Sequence, residues 1–109
     1  MPRIIIEFDV YPTENEQKII SSIKKFFDVN FNFSGEDVKH YIAETKDERI
    51  IELIEEEIRN RNLNRDAIVK KKDDHYEVLI NKQAICVKKL RFLDEEQTLG
   101  AIRIRFYPK

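Results

Sequence analysis

The 109-residue chain has no tryptophan, one cysteine, one methionine, two glycines and three prolines. Each scarcity excludes something. A lone Cys86 rules out an intrachain disulfide and fits a reducing compartment, so a cytoplasmic location is expected. Two glycines leave room for neither GxxxxGK[ST] nor GxGxxG, the loops that cradle phosphates with backbone amides. No apolar run approaches the ~18 residues of a membrane span. The opening "MPRIIIEFDV" interleaves charge with a strand-like pattern, so no signal peptide is expected either. His40 and His75 lie far apart and one cysteine cannot complete a usual zinc set, so no metal or cofactor is expected.

Charge, by contrast, is abundant: 38% of the residues are Asp, Glu, Lys or Arg, with a net charge of only -1. The balance is uneven along the chain. Acidic side chains outnumber basic ones over residues 1–69, and the order reverses over residues 70–109. Such asymmetry permits an anionic partner at one end. Richness in Ile, Lys and Glu resembles the composition of heat-adapted proteins. At this length, 41% hydrophobic residues supply one core, so a single domain over 1–109 is expected.

Periodicity then places the elements. Ile4, Ile6, Phe8 and Val10 alternate with Glu7 and Asp9, the mark of a half-buried strand. Pro12 ends it, and Thr13 with Glu16 fits a capping box for the helix that follows. That helix carries Ile19, Ile20, Ile23, Phe26 and Phe27 as a core stripe. A short strand fits the alternation of Val29, Phe31 and Phe33, and "VKHYIAET" reads as another. A second helix spans residues 46–61, with Ile50, Ile51, Ile54 and Ile58 inward and Glu52, Glu55, Glu56 and Arg59 outward. Residues 62–75 fit either a short helix capped by Asn64 or a loop running into a strand. "YEVLIN", "AICVKKLRF" and "GAIRIRFY" read as three strands, the last two joined through polar "LDEEQT". The order β-α-β-α-β-β-β implies an α+β fold, a largely antiparallel sheet with helices on one face.

The stretch "INKQAICVKKLRF" breaks this regularity. Ile85 and Val87 share one strand parity, Leu90 and Phe92 the other, and one extra residue at Lys88-Lys89 would return all four to the core as a β-bulge. Asn81-Lys82-Gln83 then forms a turn or crossover, and Cys86 is a small packing residue within the strand. In the last strand Ile102, Ile104 and Phe106 point inward, which turns Arg103 and Arg105 outward. An outer face with Lys88 or Lys89, Arg91, Arg103 and Arg105 needs acidic neighbours or an anionic partner.

"INKQAICVKKLRF" and "LGAIRIRF" together resemble the paired C-terminal motifs of a small uncharacterised archaeal protein family. The matching residues are Asn81, Lys82, Gln83 and Ala84, then Leu99, Gly100, Ala101 and Ile102. "VYPTE", Val10 to Glu14, is similar to the family's opening strand-to-helix junction. The resemblance implies an α+β fold like that of the ribosomal protein that binds 5S RNA, and related members carry an RNA-binding label. Ile85 and Cys86 depart from the family pattern, which has a smaller residue and an aromatic there.

No constellation for catalysis assembles: the run Glu55 to Glu57 points three ways on a helix, and Cys86 has no local base. An enzyme is not expected. What remains is cationic: Lys70, Lys71, Lys72, Lys82, Lys88, Lys89, Arg91, Arg103 and Arg105 are the candidate RNA contacts, with Tyr76 and Tyr107 as candidate stacking aromatics. Two functional readings stand. One is non-catalytic RNA binding through shape and backbone; the other is a protein-interaction module or homodimer, without nucleic acid or membrane.

Overall fold

The computed structural model describes residues 2–93 and 100–108. Its centre is β1 (Arg3–Val10), whose Ile4, Ile6, Phe8 and Val10 are all buried. Strand β1 is flanked on one side by β3 (Lys39–Thr45) and on the other by β7 (Ile102–Tyr107). The sheet extends to β2 (Asn32–Ser34) beyond β3, and to β5 (Tyr76–Ile80) then β4 (Lys70–Lys71) beyond β7. A two-residue β6 (Phe92–Leu93) pairs with β5 off that path. All the pairings are antiparallel, giving a seven-stranded sheet.

Two long helices cover one face. α1 (Glu16–Phe26) lays Ile19 and Ile23 on the core, with Phe27 just past its end. α2 (Arg49–Asn60) contributes Ile50, Ile54 and Ile58 at spacings of four. α3 (Arg65–Ile68) is a single turn whose N-cap Asn64 accepts a hydrogen bond from the Asp66 amide. Both alternatives for residues 62–75 are therefore present, a capped turn of helix followed by a short strand. The N-cap of α1 differs from expectation: Asn15 accepts from the Lys18 amide, 3.1 Å away. Glu16 instead receives Lys39 Nζ and the Tyr41 hydroxyl, tying α1 to β3.

The larger correction falls on "AICVKKLRF". It is not a bulged strand. Lys82–Ile85 form α4, a single turn, with Asn81 Oδ1 accepting from the Ala84 amide at 3.0 Å. Ile85 and Leu90 are buried, Phe92 is half-buried, and Val87 is 60% exposed. Cys86 lies in the turn after α4, half-buried. A helical turn followed by a reversal places Ile85 and Leu90 inside without needing one parity for all four side chains.

That reversal is a Schellman motif. Lys88 N–H donates to Ile85 O and Lys89 N–H to Ala84 O, with Lys88 left-handed at φ 63°. α2 ends the same way: Asn62 (φ 53°) donates to Arg59 O and Leu63 to Ile58 O. Asn tolerates that geometry; a lysine at the glycine position is strained by about 1 kcal/mol. The "LDEEQT" connection lies largely outside the described residues, as does Leu99.

Candidate functional site

The nine candidate cations do not share one surface. Lys82 is interior, 1% exposed. Its Nζ donates to Asp9 O at 2.6 Å and Glu14 Oε1 at 2.9 Å, and lies 5.0 Å from the centre of the Tyr11 ring. Glu14, whose side chain is 6% exposed, also accepts from the Tyr11 amide and from Gln83 Nε2, each at 2.9 Å. Gly100 lies beside them at φ 81°, and a Cβ there would sit 3.9 Å from the Tyr11 hydroxyl. The blocks "VYPTE", "NKQA" and the described part of "LGAI" thus meet at one end of the sheet. Their meeting point is a buried ion pair whose carboxylate is fully engaged, with no ammonium facing solvent.

Arg103 and Arg105 do face the helix-free side of the sheet, but among carboxylates. Glu7 stands opposite Arg103 on β1, and Glu77 opposite Arg105 on β5. Arg105 Nη2 lies 2.6 Å from Glu7 Oε1; Arg103 Nη1 is 3.8 Å from the same oxygen, and its Nε 3.4 Å from Glu77 Oε1. His40 extends the network, 3.4 Å from Glu7 and 2.6 Å from Asp9. Acidic neighbours therefore meet the need that an all-basic face would have created.

Lys70 and Lys71 form β4, and the Lys72 amide donates to His75 O to close the β4–β5 hairpin. Lys71 and Lys72 line a cleft of about 440 Å³ together with Asp73, Asp74, His75 and Tyr107. Two carboxylates line the same cleft as the two lysines. The hydrogen bond from His75, 2.7 Å away, holds the Asp74 carboxyl below the usual aspartate range. The Tyr107 ring is already in contact with His75 and Arg3.

Only the remaining three gather into a basic concavity. Lys88, Lys89 and Arg91 line a cleft of about 340 Å³ with Phe26, Leu90, Glu57 and Arg61. Arg61 Nη1 donates to Leu90 O at 2.7 Å and lies 3.6 Å from Glu57, so it braces the cleft wall. Four cations face one carboxylate, and that carboxylate belongs to Arg61. Lys88, Lys89 and Arg91 are exposed and have no ion-pair partner among the described residues. Phe26 and Arg61 were not among the sequence candidates. Their position at the ends of α1 and α2 is the one signal that could have marked them, since helix ends collect at the rim of a layered fold.

Among the described residues, no group of three or more His, Cys, Asp or Glu side chains could hold a metal ion. Among the same residues, no helix is long and apolar enough to cross a membrane.

No family model matches the chain. A UPF0201 protein of Sulfurisphaera tokodaii is 30% identical over an alignment of 122 positions that covers 95% of this chain and 77% of that one. The crystal structure of a UPF0201 protein from Methanococcus jannaschii matches with a TM-score of 0.77 at 23% identity, over 98% of this chain and 82% of its own. A Sulfolobus solfataricus protein of the DUF54 family model matches at 0.70 and 14% identity, covering 94% and 85%. Those two structures show the fold; the Sulfurisphaera relative shows the kinship. The chain belongs to the UPF0201 family.

Proposed function

We propose that the protein is a non-catalytic cytoplasmic RNA-binding protein that engages phosphate groups at the cleft of Lys88, Lys89 and Arg91. The observation that carries this is the gathering of three exposed cations, without ion-pair partners among the described residues, in one concavity beside an aromatic ring. Like charges brought together repel one another, whereas phosphate oxygens supply strong acceptors. Among the other candidates, Lys82 is committed to Glu14, and Arg103 and Arg105 to Glu7 and Glu77. The resemblance of the motif blocks to a family whose related members carry an RNA-binding label is in keeping with this reading.

Titration of structured and single-stranded RNA at several salt concentrations tests it. Exchanging Lys88, Lys89 and Arg91 together for Gln should weaken binding similarly across sequences. Each lost phosphate contact should reduce the log-log salt slope by about 0.7–0.9. A folded parent that binds no RNA at low salt overturns the reading. The interaction-module or homodimer reading would then take precedence, favoured by exposed Ile42 on the helix-free face of β3, by exposed Val38 just before that strand, and by Phe33, 58% exposed on edge strand β2.

A further inference from the structure

We infer that the cleft formed by Phe26, Arg61, Lys88, Lys89 and Arg91 takes a terminal phosphomonoester, at an RNA end or on a free nucleotide, in preference to internal phosphodiesters. This deepens the RNA-binding reading and rests on it for its biological source.

The cations approach from separate elements: Arg61 just past α2, Lys88 and Lys89 from the turn after α4, and Arg91 from the segment entering β6. Lining one concavity, they concentrate positive charge around it. A phosphomonoester matches it, carrying about -1.5 to -2 charges and three acceptor oxygens at neutral pH. An internal diester offers one charge and fewer free oxygens, and binding many of them needs a track of cations. Among the described residues the cations beyond the cleft are interleaved with carboxylates: exposed Lys24 and Lys25 before Phe26 are followed by exposed Asp28. The wet side of α2, leading to Arg61, carries exposed Glu52 and Glu56, and the arginines of the sheet face are paired with Glu7 and Glu77. A chain running on past the cleft would meet carboxylates as well as cations, Arg59 among them; a chain ending in it need not.

Size and lining agree. About 340 Å³ lies at the small end of ligand pockets, which run from roughly 300 to 1,000 Å³. It suits a phosphate and one nucleoside, and Phe26 offers that base a stacking surface. Lys88 is in keeping with this. It holds the left-handed position where glycine is least strained, and the two Schellman hydrogen bonds, 3.1 and 3.0 Å long, fix its backbone. Strain kept at a cation bordering the cleft fits a binding residue as well as the helix stop it forms.

The test uses one short single-stranded RNA with a 5′-monophosphate, with a 3′-monophosphate, or with hydroxyls at both ends. Adenosine monophosphate and adenosine serve as competitors in fluorescence anisotropy. At least one phosphorylated RNA should bind about tenfold tighter or better than the hydroxyl-ended one. Adenosine monophosphate should compete and adenosine should not. Lys89→Gln with Arg91→Gln should erase the difference without altering the thermal melt, since both side chains are exposed. Equal affinity for all three RNAs, still dependent on those two residues, would overturn the terminal-phosphate inference and leave RNA binding standing. Adenosine monophosphate binding without RNA binding would support the inference with a free nucleotide as its source, and defeat the RNA reading. Binding of none of these ligands defeats both.

Discussion

Replacing Lys82 by Met removes the cation paired with a carboxylate that is almost wholly out of water. The Lys82 and Glu14 side chains are 1% and 6% exposed, so solvent screening offers no discount. Glu14 would keep the Tyr11 amide and the Gln83 amide, and the Asp9 carbonyl would lose its 2.6 Å donor. Breaking a buried pair from one side typically costs about 3–5 kcal/mol, because the remaining charge stays buried. Against a typical total of about 5–15 kcal/mol, that is a large share of the folding free energy. Adding Glu14→Gln should return at least about 2 kcal/mol, since the buried charge disappears while a side-chain oxygen stays available to the Tyr11 amide. Urea unfolding of the parent, both single variants and the double variant closes the cycle. A Lys82→Met variant that loses less than about 1 kcal/mol at unchanged m-value would refute the reasoning, as would a double variant no more stable than the single.

Lys88→Gly should raise stability by about 1 kcal/mol by relieving the left-handed residue, yet weaken RNA binding, so its two readouts move in opposite directions. Gly35→Ala should cost about 2 kcal/mol or more, measured by urea unfolding, because φ is 96° and the added Cβ would sit 2.3 Å from Val38 O. The side-chain hydrogen bond from Arg49 holds the Asp47 carboxyl below its ordinary value. That contribution is complete above the unfolded-state pKa and lost as pH falls through the folded one; carboxyl NMR should show the midpoint rising toward the ordinary value in Arg49→Gln. Arg103→Gln with Arg105→Gln should leave the RNA salt slope unchanged, a reduced slope meaning that these arginines do contact phosphate.

Where periodicity was long, the sequence was readable. The alternation of Ile4, Ile6, Phe8 and Val10, and the spacing of Ile50, Ile54 and Ile58, each repeat often enough to single out one buried face. The Asn64 cap could also be read, because its partner is two residues away. α4 could not. A four-residue helix is barely one turn, and its Ile85 with Val87 mimics strand alternation. The usual stop signal is missing too, because lysine holds the left-handed position. Thr13 and Glu16 satisfied the capping-box spacing, but Asn15 took the cap and Glu16 was drawn to Lys39 and Tyr41 on β3. For the site, sequence showed which side chains were cations and not what stood next to them. Glu14 lies 68 residues from Lys82, and Glu7 reaches the two arginines only because β1 and β7 are neighbours.

The Lys82 anchor and the open cleft are two ends of one short segment. Asn81 caps α4 and receives no freedom from its own backbone, because its amide donates to Arg91 O at 2.8 Å. Lys82 pins the start of the turn to Glu14 and β1, and Ile85 and Leu90 bury its underside. Between these fixed points, residues 86–89 have few places to go, and the Schellman hydrogen bonds settle the course that remains. Arg61, bonded to Leu90 O, ties the far side to α2. The flexible lysine side chains thus project from a backbone held at both ends, which limits the ordering cost when an anion arrives. On this argument Lys82 shapes the cleft without touching its ligand. The Lys82→Met/Glu14→Gln variant, if folded, should then bind RNA more weakly than the parent while keeping the parent's salt slope, because its phosphate contacts are intact and only their positioning has loosened.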